Sequence, residues 1–110
     1  MPFINISTSG KVKDKKKLLE DTVIFFSSLT NKSKSYVMAK IEDKLEMHFE
    51  DESPCCFVEV KSIGSINPSE MAKPICNFFF EKIGIPADKI YIHFEDVNPS
   101  MWGWNNRTFG

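Results

Sequence analysis

The first residues of the chain alternate between apolar and polar positions, which is typical of a strand. In FINIS, residues 3–7, Ile4 and Ile6 fall on one face and Phe3 and Asn5 on the other. The segment TSG that follows it is typical of a loop. The sequence therefore predicts a short strand at the start of the chain.

Two segments carry apolar residues at helical spacing. The first predicts a helix from Asp14 to Thr30, with Asn31 as its C-terminal cap. The second predicts a helix that starts at Pro68 and stops at Gly84, because proline suits the first helical position and glycine suits the end.

Further apolar runs predict strands at SYVMAKIE (35–42), CCFVEVKSIG (55–64) and KIYIHFEDV (89–97). The run LEMHFE (45–50) also alternates. A charged turn precedes it, which leaves two interpretations open, a hairpin or one bent ribbon. MWGWNNRTF (101–109) is a tail of aromatic and turn residues.

This order of elements predicts two β-α-β units in a single domain, residues 1–110, and YVMAKIED in the first loosely echoes YIHFEDV in the second. Parallel crossovers of this length place both helices on one face of one sheet. The other face, which includes Phe3, then needs cover, and a chain of this size has nothing left to provide it. Oligomerisation would provide it.

Composition narrows the functional classes. The 110 residues are 42% hydrophobic, and 14 basic against 15 acidic residues give a net charge of −1, which argues against nucleic acid or a membrane surface as partner. The three cysteines do not form a disulfide framework. With no export signal and no apolar run long enough to span a bilayer, we expect a cytoplasmic protein.

Five short motifs occur together in a characteristic order: Met1-Pro2, NKSKSY (31–36), SIG (62–64), IYIHFEDVN (90–98) and GWNNRTFG (103–110). The chain resembles the macrophage migration inhibitory factor and D-dopachrome tautomerase family of the tautomerase superfamily, and its migration inhibitory factor branch most closely. The resemblance implies an α+β, two-layer fold with a four-stranded mixed sheet and two helices on one face. It also implies a homotrimer with active sites at subunit boundaries, and no cofactor.

Pro2 can carry the chemistry of such an enzyme on physical grounds. If Met1 is removed, Pro2 is a secondary amine, and an α-amino group has an ordinary pKa of about 7.7–8.0. Burial in an apolar pocket and a nearby cation both lower that pKa. A neutral amine can take a proton from one substrate atom and return it to another, which is a keto–enol tautomerisation.

The resemblance assigns substrate-binding roles to residues elsewhere in the chain. Lys32 would bind the substrate's carboxylate and help to keep Pro2 neutral, although a solvated cation at a helix C-terminus is the ordinary interpretation. Ile63 would offer backbone groups to the same anionic oxygens. Tyr91 and His93 would close the site from a neighbouring subunit.

An aromatic-walled slot with one cation suits a small aryl keto acid such as phenylpyruvate. The residues that the resemblance places around it are Tyr36, Tyr91, Trp104 and Phe109, and Phe3 is expected to pack beside the site. His93 stands where many relatives carry asparagine, and Trp102 stands where mammalian relatives carry a small aliphatic residue. A protonated His93 would change the charge of the site and its pH dependence, and a partly buried, hydrogen-bonded histidine is the alternative. Trp102 would narrow the mouth of the slot.

The resemblance also leaves a different function open. Relatives act as cytokines, so the chain is either a phenylpyruvate or dopachrome type isomerase, or a signalling protein that presents a trimer surface to a receptor and keeps the pocket as a relic. An inert trimeric scaffold is a third interpretation. Val58 replaces the second cysteine of the Cys-x-x-Cys motif that begins at Cys55, so we expect no disulfide oxidoreductase chemistry. The histidines and cysteines lack metal-ligand spacing, so we expect no metal.

Overall fold

Two strand–helix–strand units account for most of the chain, and the computed structural model describes all of it, residues 1–110. In chain order the elements are β1 (Phe3–Thr8), α1 (Lys15–Thr30), β2 (Met38–Glu42), β3 (Cys56–Ser62), α2 (Pro68–Ile83), β4 (Ile90–Asp96), β5 (Gly103–Trp104) and β6 (Arg107–Thr108). Short 3-10 turns at Lys34–Tyr36, Ala87–Lys89 and Pro99–Met101 precede β2, β4 and β5. Neither α-helix combines the length and the apolar character that a bilayer span requires.

The four long strands form one mixed sheet in the order β2-β1-β3-β4. β1 runs parallel to β2 and β3 runs parallel to β4, each across a helical crossover, while β1 and β3 are antiparallel at the centre. Phe3 lies opposite Met38 on one side and Lys61 on the other. The predicted pair of β-α-β units in one mixed sheet is confirmed.

The two faces of the sheet have different surroundings. On one face, alternate residues are completely buried under α1 and α2, including Ile4, Ile6, Val58 and Val60. The opposite face, which we call the helix-free face, carries Phe3 and the other alternate residues of the strands that point the same way. These residues are half-buried or exposed. The face that the sequence predicts to need cover is therefore uncovered in the single chain.

The helices bury the faces that their spacing predicts. α1 buries Leu18, Thr22, Phe26 and Thr30, and α2 buries Met71, Ile75, Phe78 and Phe79. The helices also touch each other, because the rings of Phe25 and Phe78 stack with centroids 4.3 Å apart. Both helices therefore share one core with the buried face of the sheet.

The ends of α1 follow the predicted signals. The Oδ1 atom of Asp14 accepts a hydrogen bond from the Lys17 amide at 3.0 Å. At the other end Asn31 adopts the left-handed conformation, with φ of 56°. Gly84 ends α2 in the same conformation, with φ of 71°.

The predicted strand at residues 45–50 is wrong in both of its interpretations. Apolar and polar residues do alternate in burial there, but no strand lies alongside to complete a ladder. The backbone amides of Lys44 and Leu45 donate instead to the carbonyl oxygens of Gly10 and Thr8, at 2.9 and 3.1 Å. Positive φ angles at Lys44 (56°) and Glu50 (70°) break the extended run at both ends.

The aromatic tail forms a small hairpin. β5 and β6 pair antiparallel, with Gly103 opposite Thr108. Asn105 and Asn106 between them have φ of 52° and 68°, which is the requirement of a two-residue hairpin turn. This hairpin brings the last aromatic residues of the chain back beside the start of β1.

Candidate functional site

A cavity of about 690 Å³ lies at the start of β1, and most of its lining is hydrophobic. We call it the Pro2 cavity. Of the residues predicted for the site, it brings together Pro2, Phe3, Tyr36, Trp102, Trp104 and Phe109. They come from the first strand, the turn before β2 and the C-terminal hairpin, which are far apart in sequence.

Pro2 is fixed by its position at the end of the sheet. Its residue is fully buried, and its carbonyl oxygen accepts a hydrogen bond from the Met38 amide at 3.0 Å. Because proline has no amide hydrogen, its position directly before β1 does not leave an unpaired backbone donor at the end of the strand. Pro2 lines the cavity, and its ring nitrogen therefore has no hydrogen-bonding role in the ladder.

The surroundings of the N-terminus disfavour a positive charge. The pKa of the Met1 amine is lowered, first by burial and then by the charge of Lys32. Pro2 is the next residue and is the more buried of the two.

Three aromatic rings form one wall of the Pro2 cavity. Trp104 stacks on Phe109, with centroids 6.1 Å apart and an interplanar angle of 10°, and meets Tyr36 edge to face at 6.1 Å. The amide of Phe109 donates to the carbonyl of Trp102 at 3.1 Å, which fastens the hairpin beside the half-buried Trp102 side chain. The wall is largely apolar, and all three of its side chains are partly exposed to solvent.

Lys32 lies near the cavity without lining it. Its amide donates to the carbonyl of Ser27 at 3.1 Å, and its own carbonyl accepts from the Ser27 hydroxyl, so the backbone is held against the end of α1. Its side chain is half-buried, and its charge is felt at the N-terminal amine. Lys32 is therefore within electrostatic reach of Pro2.

Ile63 is half-buried and does not line the cavity in the single chain. The residues on either side of it are tied to the end of β4. The carbonyl of Ser62 accepts from the Val97 amide at 2.8 Å, and the Gly64 amide donates to Asp96 Oδ1 at 2.9 Å. The SIG segment is thus held in place by the neighbouring strand.

Tyr91 and His93 do not meet Pro2 within one chain. Both lie on β4, which is separated from β1 by β3, and two strand spacings amount to about 10 Å. Their side chains are on the helix-free face, and Tyr91 is 62% exposed. His93 lies beside Glu95, with 3.9 Å between Nε2 and Oε1. Their predicted role concerns a neighbouring subunit, so it stays a prediction.

The lining of the Pro2 cavity also includes residues that the sequence did not predict for the site, among them Lys61, Glu95 and Met38. Lys61 lies opposite Phe3 in the β1–β3 pair and opposite Glu95 in the β3–β4 pair. Phe3, Lys61 and Glu95 therefore share the helix-free face. Lys61 shares this face with Phe57 and Glu59 because the side chains of β3 alternate, but the antiparallel register of β1 and β3 cannot be read from the pattern alone. No group of three or more acidic, histidine or cysteine side chains is arranged to hold a metal ion.

Comparison with known proteins connects this geometry to one family. The model of the macrophage migration inhibitory factor family matches residues 1–110. The macrophage migration inhibitory factor of Xenopus tropicalis is 33% identical over 84% of each chain. The homolog from Trichinella spiralis is 31% identical over 99% of this chain and 100% of its own.

Solved structures of proteins from this family have the same fold. The macrophage migration inhibitory factor homologue from Prochlorococcus marinus superposes with a TM-score of 0.91 at 41% identity, covering 98% of this chain and 99% of its own. The Trichinella spiralis structure has a TM-score of 0.91 at 29% identity, covering 97% and 99%. The similarity therefore extends over almost the whole chain.

Proposed function

Because this chain belongs to the macrophage migration inhibitory factor family, we propose that it is a keto–enol tautomerase of the phenylpyruvate or dopachrome type. The catalytic group is the secondary amine of Pro2, exposed by removal of Met1. The observation that carries the proposal is the buried proline at the edge of an aromatic cavity, in surroundings that lower the pKa of an N-terminal amine.

The reaction needs one group that accepts and returns a proton. With phenylpyruvate, the neutral Pro2 amine takes a proton from the carbon between the ring and the carbonyl, and the electrons move to the carbonyl oxygen. The resulting ammonium gives the proton to that oxygen and restores the neutral amine. The reverse sequence converts enol to keto, and no electron acceptor or cofactor is consumed.

The cavity supports an aryl keto acid as substrate. The rings of Tyr36, Trp104 and Phe109 suit the aryl group, and Phe3 also lines the cavity. Lys32 is the cation for the carboxylate, and its charge also favours the neutral amine. The backbone of Ile63 is proposed to hold the same oxygens, and Trp102 to limit the size of the substrate.

The active assembly is proposed to be a homotrimer. The helix-free face exposes aromatic and charged side chains, and both outer strands of the sheet, β2 and β4, have an open edge. Association would cover this face and bring Tyr91 and His93 to a neighbouring subunit's cavity. A cytoplasmic location remains a prediction from the sequence.

A signalling role is a second candidate. It is favoured by the names of the curated relatives, which denote an effect on macrophage migration. In that case a receptor would recognise the assembled surface, and the cavity would be a relic. Signalling that survives the loss of the Pro2 amine would separate the two roles.

The test of the proposal compares wild type with Pro2→Gly, after intact mass has confirmed that Met1 is absent. The rate of enol–keto conversion of phenylpyruvate is followed by ultraviolet absorbance. We expect a loss of about a hundredfold or more, since general acid–base catalysis contributes about 10²–10⁴ in rate. A variant with alanine inserted between Met1 and Pro2 is the control, because it keeps proline but makes its nitrogen an amide.

The inserted variant should be inactive and should keep the oligomeric state of the wild type by analytical ultracentrifugation. Equal rates in wild type and Pro2→Gly would remove Pro2 from the mechanism. Full activity in protein that retains Met1 would do the same.

A further inference from the structure

Lys89 is a buried lysine whose ammonium group is used entirely by one turn. The residue is 7% exposed, and its Nζ donates to the carbonyl oxygen of Phe49 at 2.8 Å, to Asp51 Oδ1 at 2.9 Å and to Glu50 Oε1 at 3.3 Å. An ammonium has three donors. All three are directed to three consecutive residues, so Lys89 fixes the shape of the turn at residues 49–51.

The turn itself is tight. Glu50 has a φ of 70°, and the amide of Phe49 donates to the carbonyl of Asp51 at 3.3 Å. A positive φ in a residue other than glycine persists where the surroundings hold it. Here the surroundings are the ammonium of Lys89, which contacts the residues on both sides of the strained position as well as the strained residue's own side chain.

The turn places the ring of Phe49 against Tyr91. The ring centroids are 4.4 Å apart with an interplanar angle of 34°, and the Lys89 ammonium is 5.6 Å from the Phe49 centroid. Phe49 is half-buried, while Tyr91 stays 62% exposed. One side of the tyrosine ring is thus supported, and the rest points away from the chain.

Holding the Tyr91 ring in one orientation matters only if the ring contacts another molecule. An exposed tyrosine on an edge strand ordinarily samples several rotamers, and ordering it on binding reduces affinity. A ring held in one orientation before binding avoids that cost. The Phe49–Tyr91 stack provides this for the one tyrosine that the proposed function assigns to a neighbouring cavity.

We propose that Phe49, held by Lys89, is a positioning residue that orients Tyr91 for the substrate in the neighbouring subunit's cavity. This inference rests on the proposed function, because Tyr91 has a substrate to hold only in an active assembly. Phe49 touches no substrate itself and acts through Tyr91.

The test measures kcat and KM for phenylpyruvate in Phe49→Leu and Lys89→Met. We expect Phe49→Leu to raise KM about two- to tenfold, the effect of losing one stacked aromatic pair, with a smaller change in kcat. Lys89→Met should change KM in the same direction and by less, and Phe49→Tyr should restore the wild-type value. Methionine fills a buried lysine's volume, so Lys89→Met tests the inference even if Phe49→Leu does not fold.

Matched controls exist on α2. Lys82 also pairs with an aspartate, Asp21, at 3.3 Å, and its ammonium is 5.9 Å from the ring of Phe78. Phe80 is a 58% exposed phenylalanine outside any aromatic pair. Lys82→Met and Phe80→Leu should leave KM unchanged.

A double-mutant cycle distinguishes positioning from a purely structural role. In the Tyr91→Ala background, Phe49→Leu should have no further effect on KM, because the residue that it positions is gone. An undiminished effect in that background, or no effect in wild type, would overturn the inference. Pro2→Gly is measured alongside: turnover that depends on Pro2 but not on Phe49 or Lys89 overturns the positioning alone, whereas turnover independent of Pro2 overturns the proposed function and this inference with it.

Discussion

The two β-α-β units share one backbone plan and differ at the positions that surround Pro2. α1 and α2 are both 16 residues long, and each is followed by a left-handed residue and a 3-10 turn. The central strand pair is symmetric, since Phe3 of β1 lies opposite Lys61 while Phe57, its equivalent in β3, lies opposite Ser7. The backbone repeat therefore cannot be the source of a site that occurs only once.

The residue that precedes each of these phenylalanines shows the first difference. In the first unit it is Pro2, buried at the edge of a cavity. In the second unit it is Cys56, inside the chain and sealed in the core, where burial raises the pKa of its thiol to about 12. The same place in the fold holds the proposed proton-transfer group in one unit and a buried thiol in the other.

The connections after the helices show the second difference. Lys32 follows the left-handed Asn31, whereas Ile85, which is buried, follows the left-handed Gly84. The 3-10 turn of the first unit ends in a tyrosine that lines the Pro2 cavity, and that of the second unit ends in the buried Lys89. The two units therefore share their backbone and differ in the side chains that the connections after their helices carry.

The largest effect that would break this asymmetry is expected for Lys32→Met. It replaces the cation of the first unit with an apolar side chain like the one the second unit has. We expect kcat/KM for phenylpyruvate to fall about ten- to a hundredfold, the usual contribution of a hydrogen bond to a charged group. The apparent pKa of the catalytic base should also rise, because the charge of Lys32 lowers the pKa of the N-terminal amine.

Lys34→Met is the matched control, since Lys34 is an exposed lysine in the adjacent turn. It should leave both quantities unchanged. If Lys32→Met behaved like this control, the carboxylate and the amine would have to be served by another group, and the first unit would lose its distinguishing cation.

A smaller effect is expected at a feature that the two units share, an aspartate that accepts a backbone hydrogen bond at the end of the second strand of each unit. Asp43 follows β2 and accepts a hydrogen bond from the Val12 amide at 3.0 Å, just as Asp96 at the end of β4 accepts from Gly64 at 2.9 Å. The Val12 amide, followed by Lys15, holds the pKa of the Asp43 carboxyl below its ordinary value. A carboxyl with a lowered folded-state pKa stabilises the fold above its unfolded pKa of about 3.9 and loses that contribution as pH falls further.

Asp43→Asn should therefore lower the urea midpoint at pH 7, and the difference from wild type should shrink as the pH is lowered below about 4. Asp96→Asn is the counterpart in the second unit and should cost less, because Asp96 is exposed. A difference between Asp43→Asn and wild type that stays constant across this pH range would show that the carboxylate charge is not involved.

The sequence predicted the helices well because their signals are local. Asp14 and Asn31 bound α1, and Pro68 and Gly84 bound α2, as their capping preferences predict. The prediction of a strand at residues 45–50 was wrong although burial does alternate there. A strand also needs a neighbouring strand to pair with, and the local sequence does not show whether one is present. Of the ten residues that the resemblance names for the site, six line the Pro2 cavity. Lys32, Ile63, Tyr91 and His93 do not, and the substrate-binding role of all of them stays a prediction.

Register was the part that the pattern could not supply. In the echo between YVMAKIED and YIHFEDV, the shared ED ends are equivalent, but the two tyrosines are not. Met38 lies beside Phe3 as Tyr91 lies beside Phe57, so Met38 and not Tyr36 is the counterpart of Tyr91. The same lack of register information concealed Lys61 and Glu95, which reach the cavity only through the pairing of three strands.

The most direct test of the central claim is the pH dependence of kcat/KM for phenylpyruvate, measured on protein whose N-terminal residue is Pro2. The base form of the amine is the active one, so activity should rise with pH through the amine's pKa. We predict a midpoint below the ordinary α-amino range of about 7.7–8.0, because burial and the charge of Lys32 lower the pKa of the adjacent Met1 amine and the same surroundings should act on Pro2. A midpoint at or above that range would contradict the account.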